Sequence, residues 1–150
     1  MKNKIVKRIL YGLFLLIWMI TVFMFSNQNG SKSQGTSDVV TKKFADIIDS
    51  YFGITLKSLD GVSFLVRKCA HFAIYFLGGI LIYNFIKTYN LKKRYLILIS
   101  IICGIIYACF DEFHQYFVDG RSAQFRDVLI DTSGIIISIV IRNKFEKQNR

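Results

Sequence analysis

The apolar residues of this chain come in blocks rather than in short amphipathic stripes. The blocks run from Ile9 to Phe25, from Cys69 to Ile86 with His71 and Asn84 as interruptions, from Tyr95 to Phe110, and from Val128 to Ile141. A hydrocarbon core of about 30 Å needs about 20 helical residues. The pattern therefore predicts an all-α polytopic membrane protein with four transmembrane helices, over about 6–26, 65–86, 94–115 and 125–142, forming a single domain across 1–150. Two blocks are short, at 16 residues for Tyr95–Phe110 and 14 for Val128–Ile141. Each must recruit neighbouring turns, and those turns carry Asp111 and Glu112 or Asp127 and Asp131. These carboxylates are thereby expected at or just below a membrane interface. The chain has no proline, so the spans are expected to be continuous.

Between the first two blocks, FSNQNGSKSQGTSD reads as an exposed loop. An extra amphipathic helix is predicted next, with Ser37 as its N-cap and Val40, Phe44, Ile47, Ile48 and Tyr51 on one face. It is too short and too charged to span, Gly53 suits its C-terminus, and the outer membrane surface is its expected place. The segment KTYNLKKR is short enough to make the second and third spans antiparallel neighbours, and Asp119-Gly120 marks a turn before the fourth.

Charge supplies the orientation. Of 20 basic residues, 12 fall before the first span, between the second and third, and after the fourth, where Glu146 is the sole acidic residue. The positive-inside rule then puts both termini on the cytoplasmic side. The net charge of +10 is thus explained by topology, and a nucleic-acid partner is not expected. The first block, at 17 residues, exceeds a signal-peptide core and no A-x-A-like site follows it, so a retained anchor is expected. Cys69, Cys103 and Cys109 read as small buried hydrophobes. A Cys69–Cys109 bridge is the alternative.

With that topology, the anomalous charges all fall on the outer side. A cation at the centre of a transmembrane helix costs roughly 2.5–3.5 kcal/mol, so such groups face a partner, a cavity or a substrate. Arg67, His71, Tyr75 and Gly78 share one helical stripe, as do Asp127, Asp131, Gly134 and Ser138. Asp111 aligns with Gln115, while Glu112 is rotated by roughly 100°; one of the two carboxylates can face the site squarely, not both. Ion pairs that merely hold the helices in register are the simplest alternative. The number of groups argues for use instead. Lys68 is expected to snorkel outward, His114 to face the headgroups, and Tyr107, Tyr116 and Phe117 to form an aromatic belt.

Arg67-Lys68 followed by Ala70-His71-Phe72 and Tyr75, Asp111-Glu112 with Gln115, Gly120-Arg121, and Asp127 with Asp131 and Gly134 together resemble the signature of VanZ-like membrane proteins. Ser26 and Gln28, in FSNQ, are similar to the motif that closes the first span in that family. The resemblance implies a small polytopic protein of the bacterial cell envelope, in a family named for an accessory factor in resistance to glycopeptides such as teicoplanin.

Two functions are weighed. In the first, a membrane enzyme acts on the headgroup of a lipid or a lipid-linked cell-wall intermediate. Arg67 and Arg121 would anchor phosphate through planar, permanently charged forks, with Gln115, Ser26, Gln28 and Tyr75 as further binding residues. His71 would be general acid or base, Asp111 or Glu112 nucleophile or base, and Asp127 and Asp131 would orient His71, an arginine or a divalent cation. Mg2+ or Ca2+ suits such carboxylates, although no loop pattern for either occurs. In the second, the same cluster binds an anionic lipid or an amphiphilic antibiotic without chemistry. An ion or proton carrier is disfavoured, since the inner halves of the spans hold almost no ionisable group to form a relay.

Overall fold

The computed structural model describes residues 2–52, 60–121 and 124–148, and among these every regular element is a helix. Five follow one another: α1 (Lys2–Ser26), α2 (Gly30–Phe52), α3 (Asp60–Lys87), α4 (Lys93–Gln115) and α5 (Phe125–Gln148). Three stretches, Asn3–Ser26, Gly61–Lys87 and Lys93–Gln115, are long and apolar enough to cross a membrane. α5 has comparable length, 24 residues, but Arg126, Asp127 and Asp131 near its start and Arg142 and Lys144 near its end confine its uncharged centre.

α3 is the axis of the bundle and packs against each of the other four helices, most extensively against α5. Glycines make that approach close. A Cβ on Gly79 of α3 would lie 2.1 Å from Ser138 Oγ and 2.8 Å from the Ile135 carbonyl oxygen of α5, and one on Gly134 would lie 2.7 Å from the Phe72 carbonyl oxygen of α3. Each helix thus admits the other's backbone where it has no side chain. Around this seam Tyr83, Ala108, Ile135 and Ile139 are fully buried. The outer faces of α1 and α4 are bare: Leu13, Ile17 and Met24, and Leu98, Ile106 and Phe110, are all exposed. A continuous apolar surface of that extent would be anomalous in water and is what lipid requires.

The basic regions meet at one end. Arg8 donates to Thr88 Oγ1 and to the Thr88 carbonyl oxygen, both at 3.2 Å, and lies 4.0 Å from the Tyr89 ring centroid. Lys87 pairs with Glu146 at 3.1 Å, and Arg142 donates to Asn84 Oδ1 at 3.2 Å.

Several sequence expectations change. Ser37 is not an N-cap: α2 begins at Gly30, and the Ser37 hydroxyl donates to the Ser33 carbonyl oxygen at 3.2 Å from inside the helix. The expected loop is therefore mostly helix. Its polar residues lack an apolar period, and tertiary bonds hold it, with the Gly30 N–H donating to the Asp119 carbonyl oxygen at 3.1 Å. Further along, the Thr41 hydroxyl donates to Ser63 Oγ at 3.3 Å, and the Ser63 hydroxyl donates to the Asp38 carboxylate. Val40, Phe44, Ile47 and Tyr51 of α2 are exposed; Gly53 lies outside the described residues. The three cysteines are free and exposed on the outer faces of their helices, so neither the bridge nor burial within the protein holds. Tyr107 leaves the expected aromatic belt. It packs 4.9 Å from Trp18 and 6.3 Å from Tyr75, ring centroid to centroid, and its hydroxyl donates to the Met19 carbonyl oxygen at 2.8 Å.

Candidate functional site

Opposite the basic end, helical spacing stacks polar residues at intervals of four: Arg67, His71 and Tyr75 on α3, Asp111 and Gln115 on α4, Asp127 and Asp131 on α5. The three stripes meet. The α3 and α4 stripes border, with the end of α1 and the start of α2, a chamber of about 210 Å³ whose lining includes Ser26, Gln28, His71, Tyr75, Asp111 and Arg121. Beside it a vestibule of about 90 Å³ is lined by Arg67, Lys68 and Asp127, and shares His71, Gln115 and Arg121 with the chamber.

The charged groups divide into pairs and singles. Lys68 forms an ion pair with Asp127, their side chains 12% and 13% exposed. His71 Nδ1 lies 3.4 Å from Asp131 Oδ1, and Asp131 is completely buried with no hydrogen-bond donor on either oxygen among the described residues. The spacing is long for a hydrogen bond, so attraction rather than a formed bond joins the two. Asp111 Oδ2 accepts from Gln115 Nε2 at 3.1 Å. Arg67 has no carboxylate within ion-pair distance among the described residues and lies 5.9 Å from the Phe64 ring centroid.

Helical rotation separates the adjacent carboxylates. Asp111 faces the chamber; Glu112 turns about the helix toward the α5 side, within electrostatic reach of Asp127, Asp131 and His71, where its Oε2 accepts the Gln124 N–H at 3.2 Å and it borders a shallow depression with Phe113 and Phe125. Arg121 has a structural task that its motif does not disclose. Its guanidinium donates to the Gln28 carbonyl oxygen at 2.9 Å, the Phe25 carbonyl oxygen at 2.8 Å and Gln115 Oε1 at 2.9 Å. It therefore clasps the C-terminal end of α1, whose last carbonyls have no intrahelical donor, to the α4–α5 connection. Burial lowers its pKa from the ordinary arginine value and Asp111 offsets part of that shift, so the group stays charged. Gly120, at φ +72°, turns the chain just before it, and a Cβ on Gly30 would fall 1.8 Å from the Gly120 carbonyl oxygen. Only glycine fits there.

A family model for VanZ/LLP1 matches residues 11–144, a span that contains every one of these groups. The chain belongs to the VanZ/LLP1 family. Its three long apolar helices and this membership make it a multi-pass membrane protein. No curated protein and no solved structure matches the chain.

In this VanZ/LLP1 protein, Lys68 points inward to Asp127 rather than outward to the headgroups. Its spacing from the α3 stripe concealed that, because the partner lies on a helix 59 residues away. The chamber roof was also missed. It is made by Ser33, Thr36 and Ser37 of α2, and their i, i+3, i+4 spacing was the available signal within a segment that otherwise looks like a loop. His114 stacks on Phe23, ring centroids 4.7 Å apart, away from the chamber. Among the described residues no three His, Cys, Asp or Glu side chains gather suitably for a metal, so nothing here adds to the divalent cation weighed from the sequence.

Proposed function

We propose that this VanZ/LLP1 protein is a four-span protein of the bacterial cytoplasmic membrane that acts on the headgroup of a lipid or lipid-linked cell-wall intermediate from the outer side. The observation that carries this reading is the enclosure of Arg67, His71 and Asp111 around one chamber and its vestibule at the end of the bundle opposite the basic regions. α5 serves as the fourth span because it lies along α3, itself long and apolar enough to cross. α2 lies on the outer surface with its exposed Phe44, Ile47 and Tyr51 in the interface. In a Cys-free variant, a cysteine at Asp119 should react with a membrane-impermeant maleimide on intact cells, and one at Asn90 only after permeabilisation. The reverse pattern would invert the orientation.

In the chemical version of this function, Asp131 orients His71 through Nδ1, leaving Nε2 to move a proton on the bound headgroup. Asp111 is the nucleophile or second base, and Arg67 anchors phosphate. A change in headgroup would alter envelope susceptibility to glycopeptides such as teicoplanin. One observation favours binding without chemistry: His71 makes no hydrogen bond to Asp111, which pairs instead with Gln115. Comparing lipid extracts by mass spectrometry separates the two. A modified lipid made with the wild type should vanish with Asp111→Asn or His71→Ala; identical profiles with and without the protein would eliminate the enzyme and leave the binder.

A further inference from the structure

The charges around the site do not cancel where they stand. In the vestibule Lys68 is neutralised by Asp127, whereas Arg67 has no carboxylate partner among the described residues. In the chamber the imbalance has the opposite sign. Asp111 is 4% exposed, and among the described residues the hydrogen bond of normal length that it accepts comes from the neutral Gln115 amide. Arg121, whose charge acts on it, is committed to Gln115 and two carbonyl oxygens. Two hydroxyls, each able to donate or accept, line the same chamber. Ser26 Oγ and Tyr75 Oη belong to residues 3% and 1% exposed, and neither makes a hydrogen bond of normal length among the described residues, although the Tyr75 hydroxyl lies close enough to Asp111 to feel its charge.

An unpaired buried carboxylate flanked by unsatisfied hydroxyls is costly unless something supplies both positive charge and several donors. A primary ammonium carries one charge and three N–H groups. The aromatic side chains of Phe25 and Tyr75 also line the chamber and attract cations through their rings. Size narrows the occupant. A chamber of about 210 Å³ equals about seven liquid-water volumes, enough for a short amine arm with its waters.

We infer that the site takes a zwitterionic phospholipid headgroup bearing a primary amine, with its phosphate on Arg67 in the vestibule and its ammonium on Asp111, Ser26 and Tyr75 in the chamber. This rests on the headgroup reading above, adds its substrate class, and gives Asp111 the ammonium in place of the nucleophile's part. A purely anionic headgroup would satisfy Arg67 and offer hydroxyl donors to Asp111 but would leave the Asp111 charge uncompensated. A quaternary amine would bring charge without donors.

The test uses the full chain in detergent, with short-chain phosphatidylethanolamine, phosphatidylglycerol and phosphatidylcholine titrated singly and binding read by native mass spectrometry. The wild type should bind the primary amine roughly tenfold tighter than either other lipid, the size expected of one charge-assisted contact in a closed site. Asp111→Asn should erase that preference while retaining phosphatidylglycerol, which also verifies its fold. Arg67→Gln should weaken all three lipids. If Arg67→Gln weakens every lipid but Asp111→Asn leaves the preference intact, or no preference exists, the amine assignment fails and the headgroup site stands. If neither variant alters binding of any lipid, the headgroup site itself fails. If soluble phosphoethanolamine displaces the lipid at equal concentration, the ligand is the free phospho-amine and the lipid half is overturned.

Discussion

Replacing His71 with alanine should destabilise the protein by roughly 3–5 kcal/mol, the usual cost of removing one partner from a buried charged contact. The cause is Asp131. It is completely buried on α5, neither of its oxygens has a hydrogen-bond donor among the described residues, and the His71 imidazole, with Nδ1 at 3.4 Å, is the basic side chain in contact with it. Without the imidazole a completely buried carboxylate is left with no basic side chain in contact among the described residues. The double variant His71→Ala/Asp131→Leu should recover most of that loss, because a well-packed apolar side chain often replaces a buried ionic group at little cost. Melting of the detergent-solubilised protein checks both. The same double variant should remain inactive in the lipid assay, which separates holding the helices from chemistry. A double variant as unstable as His71→Ala alone would show that Asp131 is not the origin of the effect.

The second large effect is expected at the α3–α5 seam. Gly134→Val should lower stability by about 1–3 kcal/mol or prevent accumulation altogether, since overpacked positions cost that much even where neighbours can shift. Here the first atom that a Cβ would meet is the Phe72 carbonyl oxygen at 2.7 Å, and the next is the Phe76 backbone nitrogen at 3.1 Å. Neither is a flexible side chain. Gly35→Val, at a glycine of α2 whose Cβ would meet nothing within 4 Å, is the control and should cost little. Equal losses in the two variants, measured by thermal melting, would mean that helix propensity rather than the close crossing sets the effect.

Much of the site was legible because helical spacing and length constrain polar residues in an apolar chain. Arg67, His71 and Tyr75 at intervals of four, and third and fourth blocks too short to span without Asp111 or Asp127, were enough to bring the charges to one end. What escaped depended on rotation and on the backbone. Whether Asp111 or Glu112 faces the chamber turns on roughly 100° of helix rotation, which tertiary packing decides. Arg121 was expected to hold phosphate, yet two of its three hydrogen bonds go to the carbonyls of Gln28 and Phe25, and carbonyls leave no mark in a side-chain pattern. The start of α2 was read as loop because Ser, Lys and Gln carry no apolar period. Its helix is stabilised by contacts such as Gly30 with Asp119, distant in sequence and so invisible locally.

The span of the Arg121 clasp has a consequence for biogenesis. Its acceptors, Phe25 and Gln28, precede it by 96 and 93 positions. During synthesis the first hydrophobic segment enters the bilayer long before the residue that secures its far end has been made. The polar compartment is consequently a late product of assembly, closed by a keystone that arrives just ahead of the last helix. A nascent chain halted before that point would carry a vacant arch, with apolar segments in lipid and no compartment between them.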